Sequence, residues 1–408
     1  MNLNITKGVA NLFLIFALFP YVSFGTNSMD TQPHFIVMGI LTIFCFMISD
    51  RLFLTRGKHL IFLLCVVLLT LLSVSQGNDL LFVRAVSSYA AFFVTILATC
   101  IYIHRYGIPV KLLVIGNLIY IFASLFQLYF NQHILNFLVI PNSFIDPSRG
   151  VSSLTPEPTF FGVTLFFWSW IYLIIYNYKP TNSINLLIII NIFSILLLSK
   201  SSMVLVFLVV SIGFLILSFI KKKIVFFLIL ISLIIVVALL LLITTIYPES
   251  RLSNLINIFI ILDGNLFDRI LKIIRFDASI NDRVSNAIFP YLGFILNYGM
   301  PGGVNSFYET SVYLSNYFNG YFWFGLGSNK ILSFIGSFIY ELGFISLFVL
   351  LYFYDFLRDV HNEFRKYEIL LLFILLNSAV SVAFPLIGIM IALMYHQKFN
   401  NNFIKKST

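Results

Sequence analysis

Cationic side chains at the ends of apolar segments are the main candidates for chemistry in this sequence. The set consists of Arg84, Arg149, Lys200, Arg251, Arg269, Lys272, Arg275 and Arg283. Charged groups at the edge of a membrane span are costly and mark candidate functional sites. Arginine binds two phosphate oxygens at once through its planar fork, whereas lysine acts as a point charge. We therefore predict a site for an anionic lipid headgroup such as a pyrophosphate.

Glu157 is the matching candidate for proton transfer. It lies between two prolines in TPEPTFFG, directly before an apolar segment, so its backbone is stiff and its carboxylate is held at the membrane surface. A carboxylate in such a position is able to act as a general base. The structural alternative is an acid that the dipole of the following helix stabilises.

Each cation also has a structural interpretation. In this alternative Arg84 pairs with Asp79 at a helix end, and Lys200 directs its ammonium group from a tight turn toward water. The three basic residues of DRILKIIRF recur at every third position with leucine and isoleucine between them. That pattern favours an amphipathic helix resting on lipid headgroups.

Arg283 follows the sequence SIND, in which Ser279 and Asp282 are typical of a helix start. We expect Arg283 in the first turn of that helix, and the alternative to a phosphate contact is a solvated or aspartate-paired arginine. The aromatic residues from Phe307 to Phe324 are able to stack on sugar rings. An aromatic belt at the membrane interface is the commoner arrangement.

The composition places these residues in a helical membrane protein. Hydrophobic residues make up 60% of the 408 positions and charged residues 10%, and the mean hydropathy is +0.99. Soluble domains carry about a quarter charged residues. The net charge of +9 does not predict nucleic-acid binding, because the basic residues lie mainly in short loops such as Lys221 to Lys223.

We predict a membrane span at each apolar segment of about 17–25 residues, the length that crosses a bilayer as a helix. The segments are 8–24 (an uncleaved first helix), 34–50, 59–75, 80–103, 110–130, 158–178, 183–199, 202–220, 224–246 and 331–353, with a final apolar block at 368–395. With the N-terminus in the cytoplasm, the basic clusters around Arg51, Arg105, Lys221 and Arg358 all lie inside, as the positive-inside rule requires. The candidate site residues then lie at the outer face.

The predicted fold class is an all-α polytopic membrane protein with about 11 (10–12) transmembrane helices and one large extracytoplasmic loop. We expect a single membrane domain, 1–408, with that loop at 247–330. The final block contains Phe384-Pro385, and proline breaks helices, so the block is either one span or a broken pair of short helices that returns the tail to the cytoplasm. Cysteines and histidines are scattered, and no metal or other cofactor is expected.

Four stretches resemble a known family. RGVSSLTPEPTFFG (149–162) is similar to the Arg…Glu-Pro-Ser/Thr-aromatic-aromatic-Gly signature of bacterial O-antigen and capsule repeat-unit polymerases of the Wzy type. LLLSKSSMVLVF (196–207) resembles the Ser-x-Ser/Arg turn that these polymerases share with O-antigen ligases. SINDRVSNAIFPYLGFILNYGMPGGVNSF (279–307) resembles their large outer loop, and IYELGFISLFVLLYF (339–353) resembles the Glu-Leu-Gly helix that follows it.

The resemblance implies a metal-independent glycosyltransferase of the GT-C type, acting at the outer face of the bacterial plasma membrane. An acceptor sugar hydroxyl of one lipid-linked repeat attacks the anomeric carbon of another chain, and undecaprenyl pyrophosphate leaves. On this interpretation Glu157 and Arg283 are catalytic, and the substrate-binding residues are Arg84, Arg149, Lys200, Arg269 and Arg275. Related ligases tend to carry arginine where this chain has Lys200, so the bidentate contact of an arginine is missing there.

The expected partners are undecaprenyl-pyrophosphate-linked oligosaccharides, the lipid bilayer, a chain-length regulator and a flippase. Two alternative functions remain open. An O-antigen ligase transfers finished polymer to lipid A core, but such ligases usually carry a histidine in the large loop, and none occurs between Tyr247 and Val360. A lipid-linked oligosaccharide flippase or another transporter predicts repeat symmetry, charges near the bilayer midplane and no large outer loop.

Overall fold

The computed structural model describes residues 3–23, 31–49, 51–74, 80–135, 137–139, 150–219, 251–325, 330–359, 363–378 and 380–406. Over these residues the regular structure is helical and no strand forms. The first eight helices are α1 (Leu3–Leu18), α2 (His34–Ser49), α3 (Arg51–Val74), α4 (Leu80–Tyr106), α5 (Val110–Tyr129), α6 (Pro158–Ile175), α7 (Asn182–Ser194, continued by a π-helical turn, Ile195–Ser199) and α8 (Ser202–Phe219). The later helices are α9 (Arg251–Ile261), α10 (Leu266–Phe276), α11 (Ala278–Leu296), α12 (Phe307–Tyr317), α13 (Phe334–Leu342), α14 (Phe344–Leu357), α15 (Glu363–Leu375) and α16 (Pro385–Lys406).

Among the described residues, four helices are long and apolar enough to cross a membrane: Phe82–Tyr106, Val110–Tyr129, Pro158–Ile175 and Asn182–Ser199. Shorter apolar helices occupy several other predicted spans: Ile5–Leu18, His34–Met47, Lys58–Val74, Ser202–Phe214 and Phe344–Leu357. This is the architecture of a helical membrane protein. The predicted span 224–246 and the basic cluster at Lys221 to Lys223 lie outside the described residues, and the total number of spans stays a prediction.

The prediction of one continuous span over 331–353 is wrong. Gly343 separates α13 from α14 and has a φ of 57°. A Cβ atom at this position would lie 2.5 Å from both the Gly299 oxygen and the Pro301 nitrogen. The apolar run hides the break, because the break depends on a backbone segment that lies some 40 residues earlier in the chain.

The final apolar block is divided, as one of the two predicted alternatives required. Helix α15 ends at Leu375 and α16 begins at Pro385. Proline is well suited to the first position of a helix, where its missing N–H would have no helical partner. The second helix has 22 residues, so it is not short, and the side on which the tail lies stays a prediction.

The large loop contains helices of its own. DRILKIIRF lies within α10, as the amphipathic pattern predicted, and α9, α11 and α12 are its other helices. Asn265 begins α10 by accepting a hydrogen bond from the Asp268 N–H at 2.9 Å. Asparagine is among the residues preferred at this capping position.

The chain groups into two compact units, Met1–Arg51 with Val94–Ile256 and Pro385–Thr408, and Leu52–Phe93 with Asn257–Phe384. In the first unit α6 is central and largely buried. The fully buried Trp168 ring packs against Gly116 of α5, where an added Cβ would lie 3.2 Å from the ring. The Tyr120 hydroxyl of α5 donates to the Leu18 carbonyl at 3.0 Å, which ties α5 to α1.

The second unit has an aromatic core. Phe92 of α4 contacts Phe334, Phe338 and Phe353, with ring centroids 5.1, 6.1 and 5.3 Å away. A further buried cluster joins α11, α12 and α13, and its members are Phe289, Phe307, Leu314, Phe322, Ile331 and Tyr340. These contacts position the helices of the large loop.

Candidate active site

Two of the motif segments are in direct backbone contact in the first unit. Gly150 has a φ of 90°, and its Cβ, if present, would lie 2.1 Å from the Leu198 oxygen. The next residue, Val151, donates its N–H to the same oxygen at 2.9 Å. Only glycine allows the segment 150–162 to approach the segment 196–207 in this way.

The second of these segments contains a rare backbone turn. Residues Ile195–Ser199 form a π-helical turn, which ends at Lys200 in the left-handed conformation, with φ 46° and ψ 31°. The Ser199 hydroxyl donates to the Ile195 carbonyl at 3.0 Å. Single π-turns occur frequently at functional sites, and a left-handed residue other than glycine carries strain. The turn expected at Lys200 is therefore confirmed, with an unusual geometry.

Lys200 lies where this turn opens. Its side chain is half-buried, and burial lowers the pKa of the ammonium group. The neighbouring Ser201 is buried, and its hydroxyl has no hydrogen-bond partner among the residues that the structure describes. An ammonium group with reduced solvation and an available hydroxyl are groups that can bind an anionic oxygen.

The segment leading to Glu157 is fixed by hydrogen bonds to α5. Ser153, with a φ of 54°, donates its N–H to Gln127 Oε1 at 2.6 Å and its hydroxyl to the Tyr120 carbonyl at 2.6 Å. The Thr155 hydroxyl contacts the Glu157 carbonyl at 2.8 Å. These bonds set the position of the Pro-Glu-Pro sequence that follows.

Glu157 occupies the position immediately before α6, as predicted. Its backbone is extended (φ −146°, ψ 153°), Pro158 is the first helical residue, and the carboxylate makes no capping hydrogen bond to the first turn. The side chain is half-buried. A carboxylate here lies at the positive end of the helix dipole. The position suits both a general base and a carboxylate that stabilises the helix.

Arg283 lies in α11, but not in its first turn. The helix begins two residues earlier than the expected cap at Ser279, because Asp277 accepts the Ile280 N–H at 2.8 Å and caps it. Ser279 and Asp282 are thus inside the helix, and Arg283 is in its second turn, half-buried. The sequence offers several capping residues close together, and only the folded backbone selects among them.

Two asparagines hold the backbone around Arg283. The buried Asn281 amide donates to the carbonyls of Ile274 and Tyr321, both at 3.0 Å, and accepts the Trp323 N–H at 2.9 Å. Asn286 accepts the Leu332 N–H at 3.1 Å. The helix is therefore fastened to both ends of the segment that connects the aromatic run to α13.

The turn Pro301-Gly302-Gly303 (the Pro-Gly-Gly turn) contacts α13, which carries the Glu-Leu-Gly motif, in the second unit. The Gly302 N–H donates to the Tyr340 carbonyl at 2.8 Å, and the Gly303 N–H to the Glu341 carbonyl at 3.3 Å. The Tyr340 hydroxyl lies 2.8 Å from the Thr310 hydroxyl. The carbonyls at the end of α13 are satisfied by this turn, so the motif residues that are far apart in sequence form one structural element.

The remaining candidate cations have separate environments. Arg84 is half-buried in the second turn of α4, and Arg275 is exposed on α10. Arg269 donates to the carbonyls of Gly264 and Phe259, at 3.1 and 3.4 Å, so part of its guanidinium group holds the turn before α10. Arg149 and the alternative partner of Arg84, Asp79, lie outside the described residues.

The structure assigns the predicted site residues to both units. Glu157 and Lys200 belong to the first unit. The second unit contains Arg84, Arg269, Arg275 and Arg283. The motif contacts described above lie within one unit or the other.

The aromatic run from 307 to 324 has a third role besides the two expected from the sequence. Phe307 and Phe322 are buried in the core cluster, and Phe318 packs against it. Tyr317 and Trp323 are exposed. Only the exposed members are placed to meet sugar or lipid, since the buried rings stabilise the large loop.

Polar residues inside apolar helices also position the motif segments. Gln127 positions the Glu157 segment, and Tyr89 donates a hydrogen bond to Glu341 at 2.5 Å. Polar and ionisable residues within membrane helices are themselves functional candidates. That rule, applied to polar residues over the full length of every span, would have selected Gln127 and Glu341.

No protein-family model matches the chain, and no match is found among curated proteins.

Proposed function

We propose that the protein polymerises undecaprenyl-pyrophosphate-linked oligosaccharide repeat units into O-antigen or capsular polysaccharide. In this proposal it is a GT-C-like glycosyltransferase with about 11 spans in the bacterial plasma membrane. Its active site faces the extracytoplasmic side and needs no metal ion. The assignment rests on the motif resemblance together with one structural observation.

That observation is the pairing of the motif segments. Four separate stretches of the sequence carry the resemblance. In the first unit Gly150 meets Leu198, and in the second unit Gly302 meets Tyr340. Each contact joins two different motifs through the backbone. These contacts within each unit support the proposal, because chance similarity of separate stretches gives no reason for the stretches to meet.

The reaction requires one bond to form and one to break. The acceptor hydroxyl oxygen bonds to the anomeric carbon of the donor chain, and the bond between that carbon and the pyrophosphate oxygen breaks. The bonding electrons leave with undecaprenyl pyrophosphate, and the hydroxyl proton passes to a base. Glu157 is the proposed base, a role worth about 10²–10⁴-fold in rate.

Arg283 is the proposed contact for the departing pyrophosphate. Preorganised cations stabilise negative charge that develops in a site with little water, and one such contact contributes about 10²–10³-fold. Lys200, with its position at a strained turn and its lowered pKa, is the proposed cation of the first unit. Arg84, Arg149, Arg269 and Arg275 complete the proposed binding residues.

Purified protein and lipid-linked repeat units provide the test. Glu157→Gln and Arg283→Ala are expected to abolish the polymer ladder, and Arg283→Lys to restore part of it, because lysine keeps the charge and loses the fork. Glu309→Gln is the control, because Glu309 is an exposed carboxylate in α12 outside the proposed site. It is expected to polymerise like the wild type.

Two results would contradict the proposal. A Glu157→Gln variant with the wild-type rate would remove the base role. Transfer of finished polymer to lipid A core by the wild type, without any ladder from repeat units, would identify a ligase instead.

A further inference from the structure

Helix α10 exposes an apolar face. None of its residues is buried, and Leu266, Phe267 and Ile270 are 66%, 67% and 43% exposed. Residues three and four positions apart share one face of a helix, so these side chains lie together with Ile273 and Ile274. Exposure of such an apolar surface to water is unfavourable, and among the residues that the structure describes none covers Leu266 and Phe267.

The orientation of this helix is fixed at its C-terminal end. The Tyr321 hydroxyl donates to the Leu271 carbonyl at 2.5 Å, and the Trp323 indole to the Arg275 carbonyl at 2.8 Å. Ile274 packs against the core cluster of the second unit. The Arg275 carbonyl is among the last four of the helix, which lack partners within it, and here the Trp323 indole supplies a donor. The C-terminal half of α10 is therefore held by hydrogen bonds and packing, while the apolar side chains at its N-terminal end are exposed.

The basic residues of α10 flank the apolar face. The helix carries Arg269, Lys272 and Arg275 against a single acid, Asp268. Lys272 donates to the Asp263 carbonyl at 3.0 Å, which braces the turn before the helix, while Arg275 is exposed. An apolar face bordered by basic residues is complementary to a bilayer surface, where acyl chains lie beneath anionic phosphate groups.

We propose that α10 is a membrane-surface helix of this protein. It inserts Leu266, Phe267 and Ile270 among lipid acyl chains and presents Arg275 to lipid phosphate groups, a role that replaces the substrate contact proposed for Arg275 above. The occupant is lipid rather than a protein partner for two reasons. The charges beside the apolar face match phosphate, and at least four helices in the described part of the chain are long and apolar enough to cross a membrane. This inference goes beyond the proposed function, because it holds whichever reaction the protein catalyses.

Depth measurements on the full-length protein test the insertion. Phe267→Cys and Asp268→Cys place a fluorescent label at adjacent positions on the apolar and polar faces, in a variant whose native Cys45, Cys65 and Cys100 are replaced. In lipid nanodiscs containing acyl-chain nitroxides, we expect several-fold stronger quenching at position 267 than at 268. Equal quenching at the two positions, or protection of 267 from both lipid and aqueous quenchers, would overturn the proposal and indicate solvent or a protein partner.

A second arm tests the phosphate contact. Nanodiscs of phosphatidylcholine are compared with a mixture containing phosphatidylglycerol, and with phosphatidylcholine plus inorganic phosphate. Quenching at position 267 is expected to increase with phosphatidylglycerol alone, and Arg275→Gln to remove most of the increase. Arg358→Gln, at an exposed arginine after α14, is the matched control and should leave it unchanged. An equal response to free phosphate, or no response to lipid charge, would remove the headgroup contact. Polymer formation is not the readout, so failure here is separate from failure of the proposed function.

Discussion

The Tyr89 hydroxyl of α4 donates a hydrogen bond of 2.5 Å to Glu341 Oε2 of α13, and both side chains are buried. A buried carboxyl group needs hydrogen-bond partners, because water is not available to solvate it. The backbone carbonyl of the same glutamate accepts the Gly303 N–H. The side-chain bond therefore supports the site where the Pro-Gly-Gly turn rests.

Loss of the Tyr89 hydroxyl is expected to destabilise the second unit. Tyr89→Phe leaves the Glu341 carboxyl without this donor, at a cost of about 1–3 kcal/mol, which thermal unfolding in detergent will detect. Glu341→Gln retains an acceptor oxygen and should cost less than Glu341→Ala. Tyr313→Phe is the control, since Tyr313 is 57% exposed. Equal melting temperatures for Tyr89→Phe and Tyr313→Phe would show that the bond is not stabilising.

Gly150→Ala is expected to separate the two motif segments of the first unit. The added Cβ would lie 2.1 Å from the Leu198 oxygen, so the backbone must shift, and the positive φ adds strain. We expect a loss of about 3 kcal/mol, near the upper end for overpacking.

Gly107→Ala provides the matched control for that variant. Gly107 has a φ of 78°, and no atom of the described residues lies within 4 Å of an added Cβ, so Gly107→Ala isolates the conformational cost of about 1 kcal/mol. Similar losses for Gly107→Ala and Gly150→Ala, measured by thermal unfolding, would contradict the close contact.

Lys200 is expected to reduce stability through its backbone conformation. Lys200→Gly removes the strain of a left-handed residue and should stabilise the protein by about 1 kcal/mol, whereas Lys200→Ala should not. If the lysine binds substrate, both variants also lose polymerisation. A glycine variant that is no more stable than the alanine variant would contradict the conformation.

The lowered pKa of Lys200 predicts a dependence of stability on alkaline pH. Burial favours the neutral form, so between the folded pKa and the usual value of 10.5 the unfolded chain binds more protons than the folded one. The free energy of unfolding therefore gains a contribution that rises with pH in this window, below 10.5. Lys200→Met should lack that contribution, which paired unfolding curves will reveal. Parallel curves for the two proteins would contradict the pKa shift.

Sidedness is tested by labelling. Cysteine in place of Asn265, at the start of α10, is expected to react with an impermeant reagent on intact spheroplasts, whereas cysteine in place of Lys222 should be protected. Lys222 lies outside the described residues, and its prediction rests on the basic cluster in the sequence. Labelling at 222 with protection at 265 would reverse the proposed orientation and the outer-face site.

The local features of this protein could be read from its sequence. The pattern of apolar residues along a short stretch of chain predicts a helix without any distant partner. The helical class, α6 after Glu157 and the helix at DRILKIIRF were therefore predictable. The turn at Lys200 was also predictable, because it separates two apolar runs. The exact start of α11 was not, because Asp277, Ser279 and Asp282 are all suitable caps.

Tertiary structure alone decided the features that depend on distant partners. The close approach of Gly150 to Leu198, a residue of the π-turn, joins segments that are dozens of residues apart. The break at Gly343 exists because the Gly299–Pro301 backbone occupies the space beside it. An apolar residue in the sequence predicts burial away from water, but it does not predict which side chain or backbone segment packs against that residue. For this reason hydropathy identified the helices, and packing determined where they bend and which motifs meet.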